Sequence, residues 1–371
     1  MKKNFADILG GIEAEQKQKL MKKIPGWAAA GEMNIPSKLA LEQCSSSATA
    51  EYKASLFASR YGHPGTVCDL TGGLGVDSSA FAAIAGRLHY FERSPELCSA
   101  ALENFARLGI GNMEIHNEET GPDSDIPQAD LIYADPARRD TVGKKVFLLE
   151  DCTPNILEIL PMLMQKAPVL MFKLSPMADI DMLAKRFGDP LKEIHVISLA
   201  GEVKELLCIL ERGWSGGYSI HATELQNAAD TLSFTPSEAA EAQVRYADGI
   251  QAGQYLIEPS SVILKAGAFK LLCSRFGIAK LDASTHLYIS DAPMDSSLFK
   301  SFPIREVIPF GNAGIKDVAR RYPKAELSAR NLPIATDALR KKMGISSGGD
   351  THIFACNSLC LGKVLIVCAT C

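Results

Sequence analysis

A glycine-rich segment, Asp69-Leu70-Thr71-Gly72-Gly73-Leu74-Gly75-Val76-Asp77, follows a short apolar run and precedes a stretch of small residues. Glycine tolerates positive φ and lets a ligand come close to the backbone, so such a turn after a buried strand reads as a ligand cradle. The next apolar run ends in Glu92, 23 residues after Asp69. A carboxylate at that place can accept both hydroxyl protons of a ribose. The two features together place an adenosine-type ligand over the carboxyl ends of the first two strands; a turn that serves only tight packing is the alternative.

The dinucleotide spacing G-x-G-x-x-G is not met, because counting from Gly73 and Gly75 puts the last position on Ser78. No Walker lysine follows, which disfavours a triphosphate. Asp69 at the start of the loop would repel a phosphate but suits an ammonium group. S-adenosylmethionine has that group, a sulfonium charge and no phosphates. A second chemical signal is Ala129-Asp130-Leu131-Ile132-Tyr133-Ala134-Asp135-Pro136-Ala137-Arg138-Arg139. Its apolar residues carry the chain to a sheet edge, where Asp135 and the Pro136 carbonyl can accept hydrogen bonds from an exocyclic amine. Catalysis there would be chiefly alignment for an in-line displacement. Arg138 and Arg139 have two readings, stacking on a base or neutralising phosphate, and surface ion pairs with Asp140 or Glu150. Lys173, ending a later apolar run, reads equally as a substrate contact and as a structural ion-pair partner.

The elements that must position these residues follow from the apolar pattern. Strands are expected at 66–70, 88–91, 113–116, 131–134, 169–173 and 195–199, with helices at 78–85, 95–108, 155–164 and 182–187 between them. That alternation gives a parallel sheet covered on both faces. The run 204–210 follows after a link too short for a crossover helix, so this last strand is expected to be antiparallel. Before the sheet, residues 1–60 read as helical. Phe5, Ile8, Leu9 and Ile12 lie at helical spacing, Pro25-Gly26 is a break, and a helix from about Ile35 carries Pro36 in its first turn. Ser45-Ser46-Ser47 offers caps for a third helix. After a polar, Ala-rich stretch at 215–251 come short strands and helices, among them a helix at 336–343 and strands at 352–356 and 363–368.

Composition limits the class. The chain has 371 residues, 47% hydrophobic and 22% charged, which fits a folded globular protein of two or three domains. No apolar run reaches the ~20 residues of a membrane span, and the charged start does not read as a signal peptide. The scattered cysteines read as reduced core residues, and a cytoplasmic location is expected. Residues 301–371 hold ten Lys and Arg against five Asp and Glu, a +5 segment in a chain of net charge −4. That is a hint of a polyanionic partner. Cys368-Ala369-Thr370-Cys371 has zinc-ligand spacing, but a chain end beside an apolar strand argues against it, and no metal is expected.

On Asp69–Gly75, Glu92 and Asp135-Pro136, the segment from about Tyr61 to Trp214 resembles the class I S-adenosylmethionine-dependent methyltransferases. Asp135-Pro136 matches the start of the D/N-P-P-Y/F motif of the amino methyltransferases, and the reversed last strand matches that family's sheet. The resemblance implies cofactor contacts at Asp69, Thr71, Gly73, Gly75, Glu92 and Asn117, and catalytic roles for Asp135, Pro136 and Arg138. Thr71 stands where the family has its first glycine, which a negative φ would permit. Ala137-Arg138 replaces the second proline and the aromatic.

The whole chain resembles a bacterial methyltransferase group that ends in a THUMP-like domain. The resemblance rests on Glu42-Gln43-Cys44-Ser45-Ser46, Tyr255-Leu256-Ile257-Glu258-Pro259 and Gly348-Gly349-Asp350-Thr351-His352-Ile353-Phe354-Ala355. It implies an N-terminal helical region (1–60), a Rossmann-like methyltransferase domain (61–245) and an α+β THUMP-like domain (246–371). It further implies an RNA substrate, tRNA or rRNA, methylated on a base amine. A non-catalytic RNA-binding protein, or a methyltransferase for a small molecule or protein, are the competing readings.

Overall fold

The computed structural model describes residues 15–138, 149–225 and 230–370. The helix expected around Phe5–Ile12, together with Arg139 and Cys371, lies outside these. The chain divides into two compact units, residues 1–199 with 204–218, and residues 200–203 with 219–371. The sequence reading draws its lines at 60/61 and 245/246. In the structure, residues 15–61 fold within the first unit.

That unit opens with short helices. Pro25-Gly26, expected only as a break, starts helix α1 (Pro25–Ala29), with proline in the first turn where its missing N–H costs nothing. Helix α2 (Lys38–Gln43) begins after Ser37, whose hydroxyl accepts the Ala40 N–H. Pro36 therefore precedes the helix and is not in its first turn, because the serine cap fixes the start two residues later. Helix α3 (Ser47–Tyr61) starts from a reciprocal cap between Ser46 and Thr49.

The sheet of this unit comprises β1 (Thr66–Asp69), β2 (Arg87–Phe91), β3 (Met113–His116), β4 (Leu131–Ala134), β5 (Val169–Leu174), β6 (Leu191–Leu199) and β7 (Glu202–Glu211). They lie in the order β6-β7-β5-β4-β1-β2-β3. Strands β1 to β5 pair in parallel, and β7 runs antiparallel to β5. The interior strands are apolar without alternation: all four residues of β4 are buried, as in sheets covered on both faces. The reversal before β7 is made by Ala200 and Gly201, both at positive φ, the backbone of a two-residue hairpin turn. Helices α4 (Val76–Ala82), α5 (Pro95–Arg107), α6 (Ile156–Lys166) and α7 (Ile180–Phe187) connect the strands. Residues 117–130, between β3 and β4, contain no helix.

The second unit begins with a hairpin, β8 (Ser219–Glu224) and β9 (Asp230–Phe234), in the stretch read as a polar boundary. Its mixed sheet contains β10 (Tyr255–Pro259), β11 (Ala279–Lys280), β12 (Tyr288–Ser290), β13 (Phe299–Pro309), β14 (Glu326–Arg330), β15 (Thr351–Ser358) and β16 (Gly362–Ala369), ordered β11-β12-β10-β13-β16-β15-β14. The paired strands run antiparallel except β14 with β15, which are parallel. Period-two alternation sends Phe354, Cys356, Ile366 and Cys368 into one apolar cluster and Ile353, Ala355, Leu365 and Val367 into another. Helices α8 (Pro236–Glu241), α9 (Ser261–Ala266), α10 (Leu271–Phe276), α11 (Asn312–Arg321) and α12 (Thr336–Met343) complete the unit, and the last two cover the second cluster with Ile315, Val318, Leu339 and Met343. No helix among the described residues is long and apolar enough to cross a membrane.

Candidate active site

The glycine segment forms the link from β1 to α4. Each glycine has its own steric reason. A Cβ on Gly72 would fall 2.0 Å from the Tyr90 ring, and one on Gly75 would fall 2.5 Å from Phe105. Gly75 also takes φ +90 as the cap of α4. Gly73, at φ +55, has only the Thr71 carbonyl oxygen near its missing Cβ, at 3.8 Å, so the loop presents bare backbone there. The Tyr90 hydroxyl donates to the Gly73 carbonyl at 2.5 Å and anchors the turn from below.

The acidic residues divide the work. Asp69 is buried, with one oxygen accepting the Thr71 N–H at 3.0 Å and the other the Ser78 hydroxyl at 2.5 Å. It ties the two ends of the loop together, so its carboxylate is committed to the turn and not turned toward a ligand. Burial pushes its pKa up to about 7, against the two hydrogen bonds that favour the ionised form. Glu92, half-buried at the end of β2, accepts the Gly73 N–H at 2.9 Å and the Ser94 N–H at 2.8 Å. Each of its oxygens keeps a further lone pair for a hydroxyl. Asn117 is exposed after β3 and donates to the Glu92 carbonyl at 2.9 Å. Gly73, Glu92 and Asn117 thus share one edge.

Thr71 joins this edge to the second motif. Its φ is outside the left-handed region, as a residue replacing glycine requires, and its hydroxyl accepts the Asp135 N–H at 2.6 Å. Asp135 follows β4 and pairs with Lys173 on β5; Pro136 beside it is buried. Ala137-Arg138 form a two-stranded ribbon with Cys152-Thr153. This segment therefore contributes no aromatic platform. The Arg138 side chain and Arg139 lie outside the described part of the chain.

Behind Asp135 runs a buried chain of charge. Lys173 is 12% exposed and lies 3.9 Å from Asp77, which lies 3.1 Å from Lys53, which lies 2.5 Å from Glu205. Asp77 also accepts the hydroxyls of Ser45 at 2.7 Å and Tyr133 at 2.8 Å. Burial opposes the charge on Lys173, but Asp135, Asp77 and Glu205 outweigh it and hold the ammonium above its ordinary range. Burial likewise raises Asp77, yet Lys53 and Lys173 prevail and keep its carboxyl low. For Glu205 burial wins and the pKa goes up. Lys173 therefore works as an ion-pair partner that meets the site through Asp135.

Sequence reasoning assigned no role to Lys53 or Glu205, and quoted Asp77 only as the end of the glycine segment and Ser45 only within the Glu42–Ser46 motif and the Ser45–Ser47 caps. A signal existed for Lys53: with Ala50, Ala54 and Phe57 it forms a 3-4-7 stripe in which a charge is out of place unless paired. A cavity of about 670 Å³ opens elsewhere in this unit, lined by Trp27, Glu51, Ser79 and Asn112 among others, and contains none of the expected site residues. The expected site residues lie instead at the carboxyl ends of β1, β2 and β4, the edge at which open α/β sheets bind ligands. From Asp69 to Ser78 the loop has no cationic side chain, which disfavours a polyphosphate. The bare backbone at Gly73 and the remaining lone pairs of Glu92 beside it fit a nucleoside such as S-adenosylmethionine.

Comparison with known proteins agrees. Residues 255–301 match a family model described as a ferredoxin-like domain and residues 299–370 one described as THUMP domain-like, so that β13 serves both. Uncharacterized S-adenosylmethionine-dependent methyltransferases from two Mycobacterium tuberculosis strains are 24% identical over 82% of this chain and 79% of theirs. A solved structure from Porphyromonas gingivalis W83, assigned as a methyltransferase, is 30% identical, with a TM-score of 0.83 over 96% of this chain and 89% of that one. With the reversed strand, the glycine loop and the terminal domain all in place, the chain belongs to the class I S-adenosylmethionine-dependent methyltransferases that end in a THUMP-like domain.

Proposed function

We propose that this methyltransferase modifies a base amine of RNA, tRNA or rRNA. The carrying observation is the Thr71–Asp135 hydrogen bond, which sets Asp135-Pro136 against the loop bearing Gly73 and Glu92. When bound, S-adenosylmethionine supplies an electrophilic methyl group. Glu92 is the residue to hold the ribose hydroxyls, with Gly73 and Gly75 allowing close approach and Asn117 at the adenine end. Asp135 and the Pro136 carbonyl would accept the hydrogens of an amine and aim its lone pair, a contribution from alignment. Lys173 pairs with Asp135 and fixes its position, and Asp135 is the carboxylate nearest to take the proton the amine must lose.

RNA is favoured by the THUMP-like domain and by its exposed cations. Lys316 and Arg320 on α11, Lys324 after it, and Lys341 and Lys342 on α12 are all exposed. Polyanion affinity comes chiefly from such contacts with phosphates.

The test is transfer of labelled methyl to total RNA from cells lacking the gene. We expect label in RNA, with Asp135→Ala slowing transfer by ~100-fold or more, the usual weight of a positioned acid–base group. Transfer at the wild-type rate by Asp135→Ala would remove that residue from catalysis. Label in protein or small molecules alone would replace the substrate class.

A further inference from the structure

His89 on β2 and Glu114 and His116 on β3 lie on one side of the sheet. The parallel register pairs His89 with Glu114 and Phe91 with His116, and residues two apart on a strand share a face. The chain leaving β3 on that edge, residues 117–130, contains no helix. His89 Nδ1 and His116 Nε2 stand 3.0 Å apart. Glu114 Oε2 stands 3.6 Å from His89 Nδ1, and its Oε1 stands 3.8 Å from His116 Nε2. The His116 ring is fixed by stacking on Phe91, with centroids 4.4 Å apart and planes 13° from parallel.

Two neutral imidazoles can share one hydrogen bond, but that leaves the carboxylate beyond hydrogen-bond distance of both rings. Three donors around one ion satisfy all of them. Ligands bonded at ~2.1 Å in a tetrahedron are separated by about 3.4 Å, in the middle of the observed spacings. We propose that His89, Glu114 and His116 form a binding site for a divalent transition metal, with the remaining coordination position open to solvent. Two imidazoles and one carboxylate are a zinc-type set, and first-row neighbours would compete by availability. Side-chain exposure of 8%, 27% and 54% for His89, His116 and Glu114 gives a preformed floor and an open mouth.

The full-length protein, stripped with a chelator, should take up one equivalent of Zn²⁺ in competition with a chromophoric chelator. His116→Ala should weaken that binding by ~100-fold, since loss even of outer-shell partners costs ~10–100-fold. Glu114→Gln, at an exposed position that leaves folding intact, should weaken it at least ~10-fold. Co²⁺ in the same site should show visible d–d absorption without thiolate charge transfer, which separates it from the cysteines. Absence of stoichiometric binding, unchanged affinity in both variants, or a thiolate band would overturn the proposal. None of these readouts requires methyl transfer.

Discussion

Asp69 and Glu92 are both acidic residues at strand ends, yet their surroundings assign them opposite work. Asp69 is buried with both oxygens engaged by its own loop, and its pKa rises to about 7. An unfolded aspartate titrates near ~3.9. The native state therefore holds the extra proton between about 4 and 7, and this residue's contribution to stability falls as pH rises through that window. Asp69→Asn keeps an acceptor for the Thr71 N–H and removes the titration. Thermal melts from pH 4 to 8 should show a flatter decline than wild type; parallel curves would refute the assignment. Glu92 keeps free lone pairs at the crevice edge. Glu92→Ala should weaken S-adenosylmethionine binding by ~10–100-fold in calorimetry, the scale of hydrogen bonds to a charged group. Unchanged affinity would take Glu92 out of the site.

At the scale of elements, helix α3 is held to the sheet by a polar seam. Lys53 reaches Glu205, Arg60 pairs with Glu193, the Tyr52 hydroxyl meets His195 Nδ1 at 2.9 Å and Tyr61 donates to Glu211 at 2.9 Å. Phe57 on the same helix is buried and packs against the Tyr61 ring. Removing one partner of a buried ion pair costs about 3–5 kcal/mol, because the other charge stays behind. Lys53→Met should lower unfolding stability by about that much in urea titrations. Lys53→Met combined with Glu205→Gln should recover part of it. Equal destabilisation of single and double variants would show the pair to be uncoupled.

The interior strands of the first unit were legible because they are short apolar runs ending in turn residues, as in β4 at 131–134; the edge strand β3 falls at 113–116 as expected, although its residues are half-buried or exposed. The hairpin of β8 and β9 was not legible. Its residues alternate, and His221, Thr223, Thr231 and Ser233 on the partner faces read as polar loop. Helix α11 was missed for a related reason: its two buried residues, Ile315 and Val318, are too few to show a period.

For the whole molecule, charge placement makes a quantitative expectation. RNA affinity, followed by fluorescence anisotropy at increasing salt, should fall linearly on a double-logarithmic plot, with a slope near −0.7 per single-strand phosphate contact. Lys341→Ala with Lys342→Ala should weaken binding and flatten that slope by about 1.4. An unaltered slope would move the RNA-binding surface away from α12.

The class of fold, the glycine loop, Glu92 and Asp135-Pro136 could be read from the chain itself, because each depends on residues close in sequence and on the periodicity of a single element. What only the folded molecule decided are the meetings between distant segments. They include Thr71 with Asp135, Lys173 with Asp77, Lys53 with Glu205 and the two histidines across β2 and β3. A buried charge is tolerable only beside its partner, and chain order does not record which partner the packing of helix on sheet will bring.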